Sequence, residues 1–441
     1  MKKSFIIAGA MAILSAGALV LLSFRSAPED CCKEHPLAAP PKGCVFKTVF
    51  EGEGLDPAFT VKTSTEVRSA EDRGLEWLLK AQLDNGGFGA GTHARQDIMD
   101  PHAVQADPAT TAMVAMALMR LGSTLEEGPQ SGRVKKATLF LLDCVERSPK
   151  EALNITELQG TQIQVKLGAN IDVALTAQFL SNLLQRTDAQ HALHKRLMDD
   201  LNVCVAKIQR AQSSNGSTSS AGWAGVLQSS FAANALESAE HIGAEVDKKA
   251  LEKAQDYQKS NFDANTGTVA TEAAAGVTLY AISSSTRGSA KEARKAEEDL
   301  AKARKAGKVA ADAPVTVENL QDAGYTKDEA ERMNTAYQVY NTAKAQAQSD
   351  AVISGFGNNG GEEFMSFLQT GESLIINKDM SWKNWYGSTT ARLVGIQNND
   401  GSWNGHHCIT SPVFCTATSL LILSVNNDIE ALVAQGATKH N

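Results

Sequence analysis

Between Ser402 and Thr416 the chain carries two imidazoles and two thiols, His406, His407, Cys408 and Cys415, immediately ahead of an apolar run. Imidazole and thiolate hold zinc, a carboxylate often completes the set, and an open fourth position permits catalysis. Asp107, Asp172, Glu362 and Glu363 are the acids that could join them. Glu362-Glu363 follows Gly360-Gly361, and adjacent acids point about 100° apart on a helix, so only one of them can cap it well. This reading takes Cys408, His406 and His407 as zinc ligands and Glu362, Glu363, His406 and His407 as candidate catalytic groups. Asp107, Asp172 and His102 then lie along a binding rim. A competing reading joins Cys408 to Cys415 in a disulfide, leaves the histidines in solvent and makes the acids helix caps. A catalytic thiol or imidazole without metal is the third reading. His93, Asp97, Asp100 and His102 form a second polar group in one loop and read as solvated, as do His191 and His194 on a polar helix face.

These residues need helices to hold them. Ala- and Leu-rich segments with apolar positions three and four apart dominate, and alternating stretches are nearly absent, so the body is expected to be all-α. Three segments look alike. Gly74 to Gln82 leads to Asp84-Asn85-Gly86-Gly87-Phe88, Val205 to Gln212 leads to Asn215-Gly216 and Gly222-Trp223, and Thr389 to Gln397 leads to Asp400-Gly401-Ser402-Trp403. Each reads as a helix ending in Gln, a Gly turn in the left-handed conformation that ends helices, and an aromatic that packs the turn. Six apolar helices are expected to open near Asp107, Asp172, Gln228, Thr271, Gly360 and Phe414, interleaved with partners near 69–82, 133–146, 192–212, 248–259, 327–349 and 382–397. The chain thus reads as six stacked hairpins. Residues 288–312, rich in Lys, Glu and Ala, fit poorly into that count and read as a solvated helical insertion, a candidate arm for a protein partner.

The pattern of Gln, Asp or Asn before Gly, and an aromatic, followed by Asp107-Pro108-Ala109-Thr110-Thr111-Ala112 or Phe414-Cys415-Thr416-Ala417, resembles the repeats of the squalene cyclase and prenyltransferase superfamily. The resemblance covers roughly residues 65–430. It implies an (α/α)6 toroid whose inner helices all start at one mouth, where positive helix ends favour anions. Related prenyltransferase β subunits hold zinc at such a rim by Asp, Cys and His, which supports the location here rather than the ligand set. The Asp-x-Asp-Asp acid of the cyclases is missing, since Met198-Asp199-Asp200-Leu201 lacks its first Asp. Aromatic content of 6% is low for a cavity that stabilises carbocations. A full triterpene cyclase is therefore not expected.

The ends and the charge balance bound the rest. A net charge of −8 with scattered basic residues argues against a nucleic-acid partner. Lys2-Lys3 before the uncharged run 4–24 reads as an uncleaved membrane anchor in preference to a cleaved signal, placing the remainder outside the cytoplasm, periplasmic in a bacterium. A Pro-rich tether over 25–64 then leads to a toroid over 65–435. Seven cysteines permit disulfides, with at least one thiol left over. Three functions remain open: binding an apolar, isoprenoid-like or peptide ligand at the cavity or rim; a zinc-dependent transferase, lyase or hydrolase; and a structural or adaptor role.

Overall fold

The computed structural model describes residues 57–218, 222–354 and 360–437, all within the unit Leu55–Asn441. The expected anchor, most of the tether, and Cys31, Cys32 and Cys44 lie outside the described residues. The described chain is all-helical apart from one two-residue hairpin, β1 (Phe262–Asp263) against β2 (Thr268–Val269), antiparallel with Phe262 opposite Val269.

The helices in order are α1 (Thr65–Lys80), α2 (Pro108–Arg120), α3 (Ser131–Arg147), α4 (Gln162–Leu167), α5 (Ile171–Leu184), α6 (His194–Ala211), α7 (Gly225–His241) and α8 (Lys248–Ser260). They continue with α9 (Thr278–Lys305), α10 (Val317–Ala323), α11 (Lys327–Ala347), α12 (Asp350–Ser354), α13 (Gly361–Ile376), α14 (Trp382–Gly395), α15 (Pro412–Leu423) and α16 (Ile429–Gly436). Among the described residues no single helix is long and apolar enough to cross a membrane.

Two kinds of helix alternate. Every residue of α2 and of α15 is buried, and α5, α7 and α13 are nearly so, because each is covered on all sides. By contrast α1, α3, α6 and α8 bury one apolar stripe and expose the rest. The buried helices contact one another in a cycle: α2 with α5, α5 with α7, α7 with α9, α9 with α13, α13 with α15, and α15 with α2. Each of these packs on the outer helix that follows it, α3, α6, α8, α11 and α14 in turn, while α15 packs on α1. The first helix of the described fold is thus held by the last repeat.

The Gln turns make those lateral joints. Gln82 donates to Gly86 O (2.9 Å) and to Arg133 O on α3 (3.1 Å), and Gln397 donates to Gly401 O (2.8 Å) and to Ala70 O on α1 (2.9 Å). Gln212 reaches Ala250 O on α8 at 2.8 Å. Gly86, Gly216 and Gly401 have φ of 86°, 91° and 96°, and a Cβ on any of them would strike the backbone of Lys136, Lys253 or Arg73 on the next outer helix. A left-handed turn and a close approach coincide there, which only glycine satisfies.

The structure corrects two expectations. The buried helix foreseen near Thr271 starts at Thr278, with a short 3-10 turn over Glu272–Ala274 before it. Most of the segment foreseen as a solvated arm is the later part of α9, whose Ala290, Ala293, Ala296, Leu300 and Ala303 are buried. With Val315, Leu320, Ala330 and Met333 the later part of that face builds a small core of its own, so its charges mark only the outer face.

Candidate functional site

Helix starts gather at one end of the cycle: Ala109 N donates to Asp172 Oδ1 (3.0 Å), and Gly361 abuts Phe414. Here α4 lies ahead of α5, capped by the reciprocal Thr161 and Gln164 bonds. Its far end is pinned to the segment before α7, with Gly222, Trp223 and Ala224 donating to the carbonyls of Leu167 (3.0 Å), Val165 (3.3 Å) and Lys166 (2.7 Å). The loop before α15 is fixed by Gln162, whose Oε1 accepts from Thr410 N (2.7 Å) and Ser411 N (3.0 Å), and by Gly361 N donating to Ile409 O at 2.8 Å. These ties bring Lys166 and Cys408 face to face.

Lys166 is the centre of the arrangement. Its Nζ lies 3.3 Å from Glu362 Oε1 and donates to Cys408 Sγ at 3.6 Å. It also sits 5.6 Å from the ring centroid of Tyr280 and 6.0 Å from that of Trp223. Tyr280 OH donates to the same Glu362 Oε1 at 3.3 Å. Lys166 is 5% exposed and Glu362 fully buried, yet Glu362 Oε2 has no hydrogen-bond partner among the described residues. Burial, then Glu362 and Glu363, push the Tyr280 phenol far up, so it stays a donor. Burial and Glu362 also push the Cys408 thiol up, against the pull of Lys166. Cys408 is one of three described non-glycine residues with positive φ, at 63°, a strained backbone of the kind that clusters at functional sites.

The residues singled out in the sequence fare differently. Glu362 and Cys408 meet, through Lys166. His406 and His407 are exposed, their rings edge-on at 5.4 Å, and His102 is exposed in its loop. Glu363 is buried beside Tyr280. Cys408 and Cys415 are both free thiols, and burial, then Glu362, raises Cys415 well above the ordinary thiol range. Among the described residues no group of three or more His, Cys, Asp and Glu is placed to hold a metal ion. Between Glu362 and Cys408 lies the side chain of Lys166.

Asp107 and Asp172 act as caps. Asp107 accepts from Thr110 N (2.8 Å) on its own helix and from Ala90 N (2.8 Å), while Asp172 caps α2 through Ala109 and accepts from Gln164 Nε2 at 2.7 Å. Burial pushes Asp107 up to about 6; burial, with Asp107 adding to it, pushes Asp172 up to about 7.

Trp223 does not take the place that Phe88 and Trp403 hold in the other two repeats. Phe88 N donates to Thr111 Oγ1 and Trp403 N to Thr416 Oγ1, each at 2.9 Å, and both rings are buried. In the middle repeat the same bond, Thr218 N to Ser229 Oγ at 2.9 Å, belongs to Thr218. Trp223 is free of the repeat and stands 57% exposed, edge-on to His93 at 5.2 Å. Lys166 and Tyr280 had no signal of their own beyond a lone lysine among Ile163, Val165 and Leu167.

The chain matches no protein-family model, and comparison with curated proteins and with solved structures likewise gives no match.

Proposed function

We propose that this chain is an exported, membrane-anchored (α/α)6 toroid of the squalene cyclase and prenyltransferase type that binds a ligand at the rim formed by its inner-helix starts. The cyclic contacts of six buried helices, each backed by an outer helix, support the toroid. Lys2-Lys3 before the run 4–24 supports the anchor.

The observation that carries the binding reading is Trp223. The indole is 57% exposed, its segment is held by backbone bonds beside the buried Lys166, and it presents an apolar face next to His93. The space between the inner helices favours the rim over the cavity. The pocket there has room for about 50 Å³ and is lined by Met113, Met116, Arg120, Arg287, Glu372 and Asp428, far below the several hundred Å³ of ordinary ligand cavities. The ligand is thus one with an apolar or planar part, isoprenoid-like or a peptide with an apolar side chain. Titration with farnesol and with a Leu-rich peptide tests this through tryptophan emission. At least one probe should shift emission in the wild type and leave Trp223→Phe unchanged. No shift with either probe, or an equal shift in Trp223→Phe, rejects the reading.

A further inference from the structure

We propose that Lys166 and Glu362 condense into an intramolecular amide, a covalent staple between the α4 segment and the start of α13. Three observations of geometry carry it. Both groups are buried, with side-chain exposures of 6% and 0%. They touch at 3.3 Å, longer than the 2.7–2.9 Å usual for a charge-assisted bond, while the lysine's hydrogen bond goes to Cys408 Sγ instead. Glu362 Oε2 is left without a partner among the described residues.

A buried ion pair is stabilising only when its remaining donors and acceptors are satisfied, and this one is not. Condensation replaces two desolvated charges by one neutral amide, which offsets the unfavourable balance that amide formation has in water. The ammonium passes one proton to the carboxylate. The neutral Nζ then adds to Cδ of Glu362, forming the C–N bond. Tyr280 OH, which already donates to Oε1, supports the negative charge that develops on that oxygen. The second amine proton moves to the carboxyl oxygen that departs as water, so –NH2 and –COOH become –CO–NH– and H2O, with no oxidant or cofactor. Tyr280 is a catalytic residue of this step, and Cys408, bonded to Nζ, positions the amine. The inference is independent of the rim ligand, because neither probe titration nor Trp223→Phe reads it.

The full chain, unfolded, reduced, alkylated and digested with trypsin, gives the test by peptide mass. The expected result is a branched peptide joining the Lys166 and Glu362 segments, one water lighter than their sum, with no cleavage after Lys166. Glu362→Gln should give a branched peptide of identical mass, since the same amide then forms by loss of ammonia. Lys166→Arg should give none, and Tyr280→Phe should form it more slowly, the branched fraction rising on incubation of the folded protein. Recovery of Lys166 and Glu362 only in separate, unmodified peptides of the wild type overturns the proposal, whatever the variants do.

Discussion

The two ends of the buried helices handle their charges in opposite ways. Where the helices finish, Arg120 donates to Asp428 Oδ2 (2.7 Å), Glu372 Oε1 (2.7 Å) and Leu421 O (3.0 Å), and Arg186 reaches Asp428 Oδ1 at 2.5 Å. Arg287 and Gln435 hold Glu237 in the same manner, at 3.1 and 3.4 Å. Burial alone would raise the Asp428 carboxyl, but Arg120 and Arg186 outweigh it and hold it below the ordinary range. Where the helices start, Lys166 lies 3.3 Å from Glu362 and 3.6 Å from Cys408, with an orphaned oxygen and a left-handed cysteine beside it. Closed networks of charge-assisted arginine bonds specify and stabilise a fold, whereas incomplete ones beside strained backbone are where chemistry and binding are found.

The largest effect should come from the closed end. Arg120→Ala leaves the partly buried Asp428 and Glu372 with fewer partners and should cost about 3–5 kcal/mol in urea unfolding. A loss under about 1 kcal/mol, the size of an exposed ion pair, would break the contrast. Next come the turns that seat the rim. Gly401→Ala forces a side chain into φ 96° against the Arg73 backbone, and should cost roughly 1–3 kcal/mol, with Gly86→Ala and Gly216→Ala close to it. Unequal costs would mean that the three turns do not share one job.

The ends should also titrate in opposite senses. Asp107 and Asp172, raised to about 6 and about 7 from an ordinary 3.8, hold protons in the folded state that the unfolded chain has already released. Their contribution to stability therefore falls as pH rises through that window, and the loss is complete above about 7. Asp428 and Glu237 are depressed, so their contribution is present above the ordinary carboxylate range and lost as pH falls through their folded values. Asp172→Asn should therefore gain on wild type between about pH 4 and pH 8, by on the order of 1 kcal/mol for each pKa unit removed. A difference that stays flat with pH sinks this assignment. The smallest stability effect belongs to Trp223→Ala, within about 0.5 kcal/mol, as for a surface residue outside the packed core. A loss comparable to that of a buried aromatic would make Trp223 a packing residue after all.

Much of the architecture was legible because burial is periodic. Asp107-Pro108 announces a helix start through cap chemistry, and the Gln and Gly of each turn mark helix ends. What those turns grip was not legible: Gln397 bonds α1 across 327 positions, a partner no local pattern reveals. The lysine-rich outer face of α9 hid a buried stripe of alanines, too small in side chain to signal a core. The site was half visible. Cys408 and Glu362 stood out by residue type, but Lys166, which joins them, comes from a six-residue helix whose role is set by tertiary contacts alone. Trp223 was visible and misassigned, because five positions separate it from Thr218, which fills the repeat's slot.

Hydrogen exchange across the whole chain, with and without whichever probe shifts tryptophan emission, tests the contrast most directly. The account predicts new protection over residues 162–168, 222–225 and 405–411 at the helix starts, and none over 113–120 or 425–435. Protection centred on the Arg120 and Asp428 end, with the rim unchanged, would contradict it.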